Sequence, residues 1–511
     1  MYRHRVHRKE NIMNYTELAV FAAYFLFMLG IGIFFFLRSK DAGEKDYFLG
    51  GRQMGAWVSA LSAGASDMSA WVLMGLPASI YAAGLGQVWI AIGLGLGYAA
   101  SWIFEAPRLR RFSIAANDSI TIPQYLTNRF KTSNKTLQIM CAVIFLVAYT
   151  IYAASSIKAC GTLFNIVMNI DATVAMYIAA AIIISYTFLG GFSAVCWTDF
   201  FQGLLMLAAL LIAPIFAMGL ISAGQGAANV QLPANYWNLF ANWKDIVSGL
   251  GWGLGYFGMP HILIRYFSIK NEKEMRKSQI IGCTWFILII IATTATGLVG
   301  RQLLGDKLTG SDDQSTLVFI DMVRNVFNWI GNNIGLITIA VFCAGILLSA
   351  ILAAAMSTAD SQLLASASAF ASDIYKPLWR KNASDREMLW AGRLVVLAIA
   401  VVAYFIASSP NCKGLMGLVS CAWGAFGAAF GPVILAALFW KRLTYAGALA
   451  GIIAGFAVDI AWYIFMPWTG IYEIIPGFAA GILCLTIVSL LTAAPSAEVV
   501  EKFEAAKKLR D

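Results

Sequence analysis

Apolar runs of about 20 residues recur along this chain from residue 14 to residue 493, and ~20 is the number a helix needs to cross a bilayer core of ~30 Å. Lipid offers no water to a peptide group, so a spanning segment must satisfy its own backbone, and helices are the form that fits. The runs predict about 13 transmembrane helices, near 14–37, 57–82, 87–106, 136–164, 172–190, 192–222, 247–267, 278–300, 334–370, 388–407, 414–440, 443–466 and 474–493. The chain therefore reads as an all-α polytopic membrane protein. Only 12% of its residues are charged, against ~25% in a soluble domain. No polar stretch exceeds a few dozen residues, so no soluble domain is appended. The first run is too long for a secretory signal and no small-residue cleavage site follows it, so it is expected to be retained.

The net charge of +9 is concentrated between the runs. Arg38, Lys40, Lys45 and Arg52 fall in 38–56; Arg108, Arg110, Arg111, Arg129, Lys131 and Lys135 fall in 107–135. Segments 265–277 and 371–393 are also basic, whereas 83–86 and 165–171 carry no Lys or Arg. The positive-inside rule makes the basic loops cytoplasmic, and with them the C-terminus bearing Lys507, Lys508 and Arg510. An odd number of spans then puts the N-terminus outside. That sits badly with Arg3, Arg5, Arg8 and Lys9 in a tail of residues 1–13, and a start at Met13 would remove the conflict. No basic stripe is interleaved with aromatics, which argues against nucleic acid. The eight cysteines are scattered without a CxxC and read as small buried hydrophobes. With His4 and His7 in the tail, only His261 remains, which disfavours a histidine metal site. No GxxxxGK[ST] is present to cradle ATP, so any transport is gradient-driven. No nucleophile–base pair suggests an enzyme. Polar segments 223–246 and 302–333 are expected outside, the second with an interfacial helix over VFIDMVRNVFNWI.

Polarity enters the apolar runs at four places. The first is SALSAGASDMSAWVLMG, with Asp67 beside Gly64, Ala65 and Ser66 and with Pro77 beyond. An intramembrane carboxylate costs at least ~2.5 kcal/mol on insertion scales. A helix broken at mid-membrane, lining a cavity with freed carbonyls, explains it. An intact helix with a polar packing face explains the glycine and serines, but not Asp67. The second is GWGLGYFGMPH, where Trp252, Tyr256 and Phe257 supply ring faces and Pro260 removes a backbone donor. A kinked helix with core aromatics reads equally well there. Position favours the broken form, because each break opens a block of five spans, as in transporters built from repeats. The third is AAAMSTADSQLLAS, where Ala354, Ser357, Thr358 and Ser361 share a helix face, with Asp360 on a neighbouring strip. Hydroxyls and a carbonyl at one level suit a hard monovalent cation; back-bonding of the hydroxyls to their own helix is the alternative. The fourth is FLGGFSAVCWTDFFQG, in which Asp199, near a helix start, reads either as a cap or interfacial residue or as a functional intramembrane charge. Lys158, near an external end, can snorkel, and Asp459 has no assigned role. Gly93/Gly97 and Gly427/Gly431 mark close helix packing.

Taken together with DYFLGGRQMGAW, LVSCAWGAFGAAFGPV and GALAG…YEIIPGF, these segments resemble the solute:sodium symporter family, most nearly its proline-carrying members, over about residues 46–480. The resemblance implies a LeuT-like fold of two inverted five-helix repeats with broken first helices. Here these would be 57–222 and 247–440, preceded by the helix 14–37 and followed by 443–493 and a cytoplasmic tail 494–511. It implies sodium as coupling ion and L-proline as cargo, carried by alternating access across the cell membrane. Another amino acid or a betaine-like osmolyte is the alternative cargo, and an ion channel a remote one.

Carried over by position, the resemblance places sodium on the carbonyls of Ala65, Met68 and Ala354 and the hydroxyls of Ser357 and Thr358. It places substrate at Ser69, Trp71, Tyr152, Trp252, Tyr256 and Pro260, and coupling or gating at Arg52, Asp67 and Asp199. Two departures stand out. Met259 replaces a glutamine common in proline carriers, and Asp360 stands where some have a hydroxyl. With Asp199, Ser357 and Ser361, Asp360 would make a second cation site, as in some sialic acid members.

Overall fold

The computed structural model describes residues 2–38, 43–187, 191–227 and 230–509. Lys40, Arg510 and residues 188–190 of the FLGG motif lie outside the described residues. The helices in chain order are α1 (Tyr2–Arg38), α2 (Ala56–Asp67), α3 (Gly75–Ala83), α4 (Val88–Ala100), α5 (Thr136–Met168), α6 (Ala172–Thr187), α7 (Phe192–Leu220), α8 (Trp243–Trp252), α9 (Pro260–Ser268), α10 (Glu272–Leu304), α11 (Val318–Ile334), α12 (Ile337–Ser368), α13 (Asp385–Ser408), α14 (Leu415–Phe439), α15 (Tyr445–Phe465), α16 (Ile474–Leu491) and α17 (Ala497–Lys508). Among the described residues there is no strand, only an isolated bridge between Met54 and Ile269.

Among the described residues, ten helices are long and apolar enough to cross a membrane. Three of the expected segments fall outside that set. Helix α6 is described over 16 residues, up to the edge of the described segment. The other two are interrupted, the first between α2 and α3, the second between α8 and α9. The start of α2 and the end of α9 are tied together. The Met54 amide donates to the Ser268 carbonyl at 3.1 Å, and the Lys270 amide donates to the Met54 carbonyl at 3.1 Å.

Helix α12 lies at the centre. From Leu347 to Ser368 its residues are buried all round, which is why it shows no amphipathic stripe. In lipid, helices gain little by hiding apolar surface from one another, so close packing of small residues holds them. Ala350, Ala353, Ala354 and Ser357 on α12 and Ala60, Ala63 and Ala65 on α2 are such residues, and all are buried. Helix α2 also packs on α7, α9 and α10.

Three local expectations change. Gly64 does not break its helix, which runs on to Asp67. Instead the Trp285 ring lies close against it, and a methyl built there would stand 2.8 Å from Trp285 Cε3. Pro260 occupies the first turn of α9, where its missing N–H is not needed, so it starts a helix rather than kinking one. The helix expected over 318–330 is present as α11, but its apolar residues Phe319, Ile320, Val323 and Phe327 are turned into the protein and buried; the hydrophobic face is covered by α10 and α12.

Candidate functional site

The chain leaves helical geometry just after Asp67. Met68 takes φ −78° and ψ 73°, and a short 3-10 turn, Ala70–Val72, bridges to α3. In the second interrupted segment the 3-10 turn Gly253–Phe257 links α8 to α9. Its glycines let α14 come close: a methyl on Gly255 would stand 2.7 Å from Trp423 Cδ1, and one on Gly258 2.5 Å from the Phe426 carbonyl oxygen.

Asp67 joins the two breaks. Its Oδ2 accepts from the Tyr256 hydroxyl at 2.5 Å, and its carbonyl accepts from Trp71 Nε1 at 3.2 Å. The other carboxylate oxygen, Oδ1, is buried with no hydrogen-bond partner. A buried charge needs such partners or an ion nearby.

Next to Asp67, α2 meets α12. The Ser357 hydroxyl donates to the Ala65 carbonyl at 2.8 Å and stands 3.1 Å from that of Ala354. The Thr358 hydroxyl is buried without a partner. Back-bonding within α12, the plain alternative for these hydroxyls, thus accounts for only part of what Ser357 does and for nothing at Thr358. Ala65, Ala354 and Ser357 are brought into direct contact; Met68 sits at the break and Thr358 one residue along α12. All five positions are oxygen-bearing, as a hard cation requires.

The aromatic side of the break is formed by Trp71, Tyr152, Trp252 and Tyr256, all buried. The Tyr152 hydroxyl faces Ser69 and Trp71 and lies in the field of Asp67. Ser69 Oγ accepts from the Trp71 amide at 3.5 Å. The Tyr256 ring is held edge-on by Tyr98 at 5.3 Å and Trp423 at 5.0 Å. The Trp252 ring stacks on Tyr472 at 4.7 Å, and its carbonyl accepts from Trp423 Nε1 at 2.8 Å. Met259 is buried just before Pro260, which begins α9.

Asp199 lies two turns inside α7 and is fully buried, so it is neither a cap nor an interfacial residue. Its Oδ2 accepts from Ser62 Oγ at 2.6 Å and from the Arg265 guanidinium at 3.0 Å. That guanidinium also donates to Ser361 Oγ at 2.5 Å, to Ser62 Oγ at 3.1 Å and to the His261 carbonyl at 2.6 Å. The fork of Arg265 therefore stands between Asp199 and Ser361, with Asp360 3.4 Å from Ser361 Oγ. Sequence reasoning missed Arg265, reading it as the first residue of the basic segment 265–277. Its one signal is the setting HILIRYFSI, apolar on both sides.

Arg52 is at the bridged end of both broken helices. It holds a left-handed φ of 56°, which costs ~1–2 kcal/mol for a residue with a Cβ. Three contacts offset that: Nε to Asp118 Oδ1 at 2.8 Å, and the two terminal nitrogens to the carbonyls of Phe267 at 2.7 Å and Ser119 at 2.9 Å. Partial burial pushes the Asp118 carboxyl up, but Lys45 and Arg52 more than reverse this and hold it below the usual carboxylate range. Arg52 thus locks the entry of α2 to the exit of α9. Lys158, expected to snorkel, pairs with Asp313 at 3.7 Å.

The profile of the Sodium:solute symporter family matches residues 47–455. The chain is 43% identical over 482 residues to the high-affinity proline transporter PutP of Bacillus subtilis (strain 168), covering 93% of this chain and 98% of that one. It is 42% identical over 494 residues to the sodium/proline symporter of Escherichia coli (strain K12), covering 95% of each. The osmoregulated proline transporter OpuE of Bacillus subtilis (strain 168) is 40% identical over 493 residues, 95% of this chain and 97% of that one. Among solved structures, a substrate-bound, outward-open Na+-coupled sialic acid symporter superposes with a TM-score of 0.71 at 20% identity, over 94% of this chain and 99% of the other. MhsT in complex with L-phenylalanine gives 0.52 at 13% identity, over 86% and 98%. At such identities the likeness is one of fold.

Proposed function

This chain belongs to the sodium:solute symporter family, a family of multi-pass membrane transporters rather than enzymes, and from that premise we propose that it couples sodium entry to the uptake of L-proline by alternating access. The observation that carries the reading is the meeting of α2 and α12 at Ala65, Ala354 and Ser357 beside the unpartnered Thr358 hydroxyl. Sodium would take the place of the Ser357 proton between the two carbonyls. The hydroxyl rotates, turning a lone pair inward, and the Met68 carbonyl and Thr358 hydroxyl complete the shell. Asp67 favours the ion through its charge without having to touch it, and its bond to Tyr256 carries ion occupancy across to the second break. There the carboxylate of a small zwitterion faces backbone amides freed by the helix break. Its ring packs on Trp252 and Tyr256, within reach of Ser69, Trp71, Tyr152 and Pro260. Each ligand then tightens the other by the same factor.

Residues 57–222 and 247–440 serve as the two repeats in this reading, with the breaks at corresponding places. The bridged end holding Arg52 faces the cytoplasm, as does the C-terminus, the N-terminus lies outside, and the membrane is the cell membrane. One sodium ion per cycle is favoured, since the Arg265 fork stands where a second cation at Asp199, Asp360 and Ser361 would bind. Met259, an apolar residue at the start of α9, favours a second cargo reading: another amino acid or a betaine-like osmolyte.

Radiolabelled proline uptake into proteoliposomes under an inward sodium gradient tests the function, with potassium and proton gradients as controls and unlabelled competitors added. Sodium-driven uptake blocked best by proline supports it. A different winning competitor moves the cargo, and flux indifferent to sodium rejects the ion site. Ser357→Ala is expected to raise the half-saturating sodium concentration roughly tenfold, which corresponds to ~1.4 kcal/mol. An unaltered sodium curve would remove Ser357 from the ion shell.

A further inference from the structure

Helices α15 and α16 lie outside the two proposed repeats, yet they bring two carboxyls together inside the protein. Asp459, within α15, is fully buried, and neither of its carboxylate oxygens has a hydrogen-bond partner. Glu473, at the start of α16, is 9% exposed, and its Oε1 is likewise unpartnered. Both flank one glycine of α14. A methyl built on Gly424 would stand 2.8 Å from Asp459 Oδ1 and 3.3 Å from Glu473 Cγ. Two charges in that position would repel each other, and neither oxygen of Asp459 has a donor to relieve it.

The pair is wired to the aromatic side of the candidate site by two short routes. Tyr472, adjacent to Glu473, stacks on Trp252 and is fixed by its hydroxyl on the Ser420 carbonyl at 2.9 Å and its amide on Ser248 Oγ at 3.1 Å. Trp423, adjacent to Gly424, donates to the Trp252 carbonyl and packs on Tyr256. The other titratable groups facing the pair are few. From the α14 side they are Lys413, whose field reaches Glu473 while its ammonium lies 3.8 Å over the Tyr463 ring, and the Cys421 thiol. From α15 there is Tyr463; from the segment before α16, Tyr472; from α8, Lys244 approaches Gly470.

We propose that Asp459 and Glu473 form a proton-binding site, each carboxyl favouring a proton on the other, and that its occupancy tunes how tightly the Trp252 face grips its ligand. A proton suits the pair better than a metal cation. It needs only two carboxyls, whereas the sodium shell proposed above takes five oxygens, and the backbone around Asp459 and Gly424 is intact helix with its carbonyls engaged. Loss of the proton to water leaves two carboxylates, which separate. Glu473 shifts, Tyr472 moves with it, and the stack on Trp252 loosens. Ligand affinity therefore falls as pH rises through the titration of the pair.

Infrared difference spectroscopy of the reconstituted full chain reads the proton directly and does not depend on which cargo is carried. Wild-type protein is expected to show a deuterium-sensitive band of a protonated carboxyl that disappears as pH rises. Asp459→Asn, which replaces the like charge by an amide donor, is expected to change or abolish that band, and Glu473→Gln serves as the second variant. Labelled proline binding should weaken several-fold across the wild-type titration and lose that dependence in both variants. The proposal is overturned by absence of such a band in wild-type protein, by a band and binding profile unchanged in both variants, or by a band that saturating sodium erases at constant pH, which would make this a sodium site.

Discussion

Asp67→Asn is expected to raise the sodium concentration for half-maximal uptake by at least tenfold, roughly 1.4 kcal/mol or more, while leaving the protein folded. The substitution separates charge from hydrogen bonding. An asparagine carbonyl still accepts from the Tyr256 hydroxyl, which stands 2.5 Å from the native carboxylate, so the link between the two breaks survives. What disappears is a full negative charge next to the Ala65–Ser357 contact. Charges a few ångströms apart interact by on the order of 4 kcal/mol at an effective dielectric near 20, so tenfold is a lower bound. Tyr256→Phe is the mirror image. It keeps the charge and removes the bond, and is expected to cost proline affinity more than sodium affinity. Sodium-dependent thermal stabilisation without proline isolates the ion step, and an identical half-saturating concentration in Asp67→Asn and wild type would end the electrostatic role.

Asp67 was legible because one carboxylate in an apolar run has no cheap explanation. Its partner was not, since Tyr256 is 189 positions away and nothing in either segment names the other. The breaks could be located but not their form. Gly64 looks like the weak point of α2 because glycine is a poor helix former, yet helix propensity is a small term beside the packing of Trp285 on that glycine. Conversely, Met68, a good helix former, takes the non-helical backbone. Hydropathy found the helices, since lipid enforces one backbone solution. It missed the orientation of α11, whose moment fits a membrane surface and a protein surface equally well. Asp459 gave no sequence signal of purpose, because Glu473 lies beyond the turn that follows α15, in a stretch that reads as loop.

Arg265 is the instructive omission, and Arg265→Gln is expected to have the second large effect. An arginine where an apolar run gives way to a basic loop reads as an orientation signal. The structure buries it, 2% exposed, against an equally buried Asp199. Removing one partner of such a pair typically costs about 3–5 kcal/mol, mostly because the other charge is left unpaired. The Gln variant should therefore lose thermal stability, and Asp199→Asn added to it should recover much of the loss. Arg265→Lys should fall between, because a single ammonium cannot serve Asp199, Ser62, Ser361 and the His261 carbonyl together as the planar fork does. Thermal unfolding across a sodium series also tests what the fork excludes. With the guanidinium gone, Asp199 and Ser361 lose their shared donor beside Asp360, and sodium should stabilise Arg265→Gln more steeply than wild type, as two ions would. A sodium dependence of the same steepness in both proteins would show that these oxygens do not hold a cation even when offered one, and would leave Arg265 as a clasp joining α2, α7, α9 and α12.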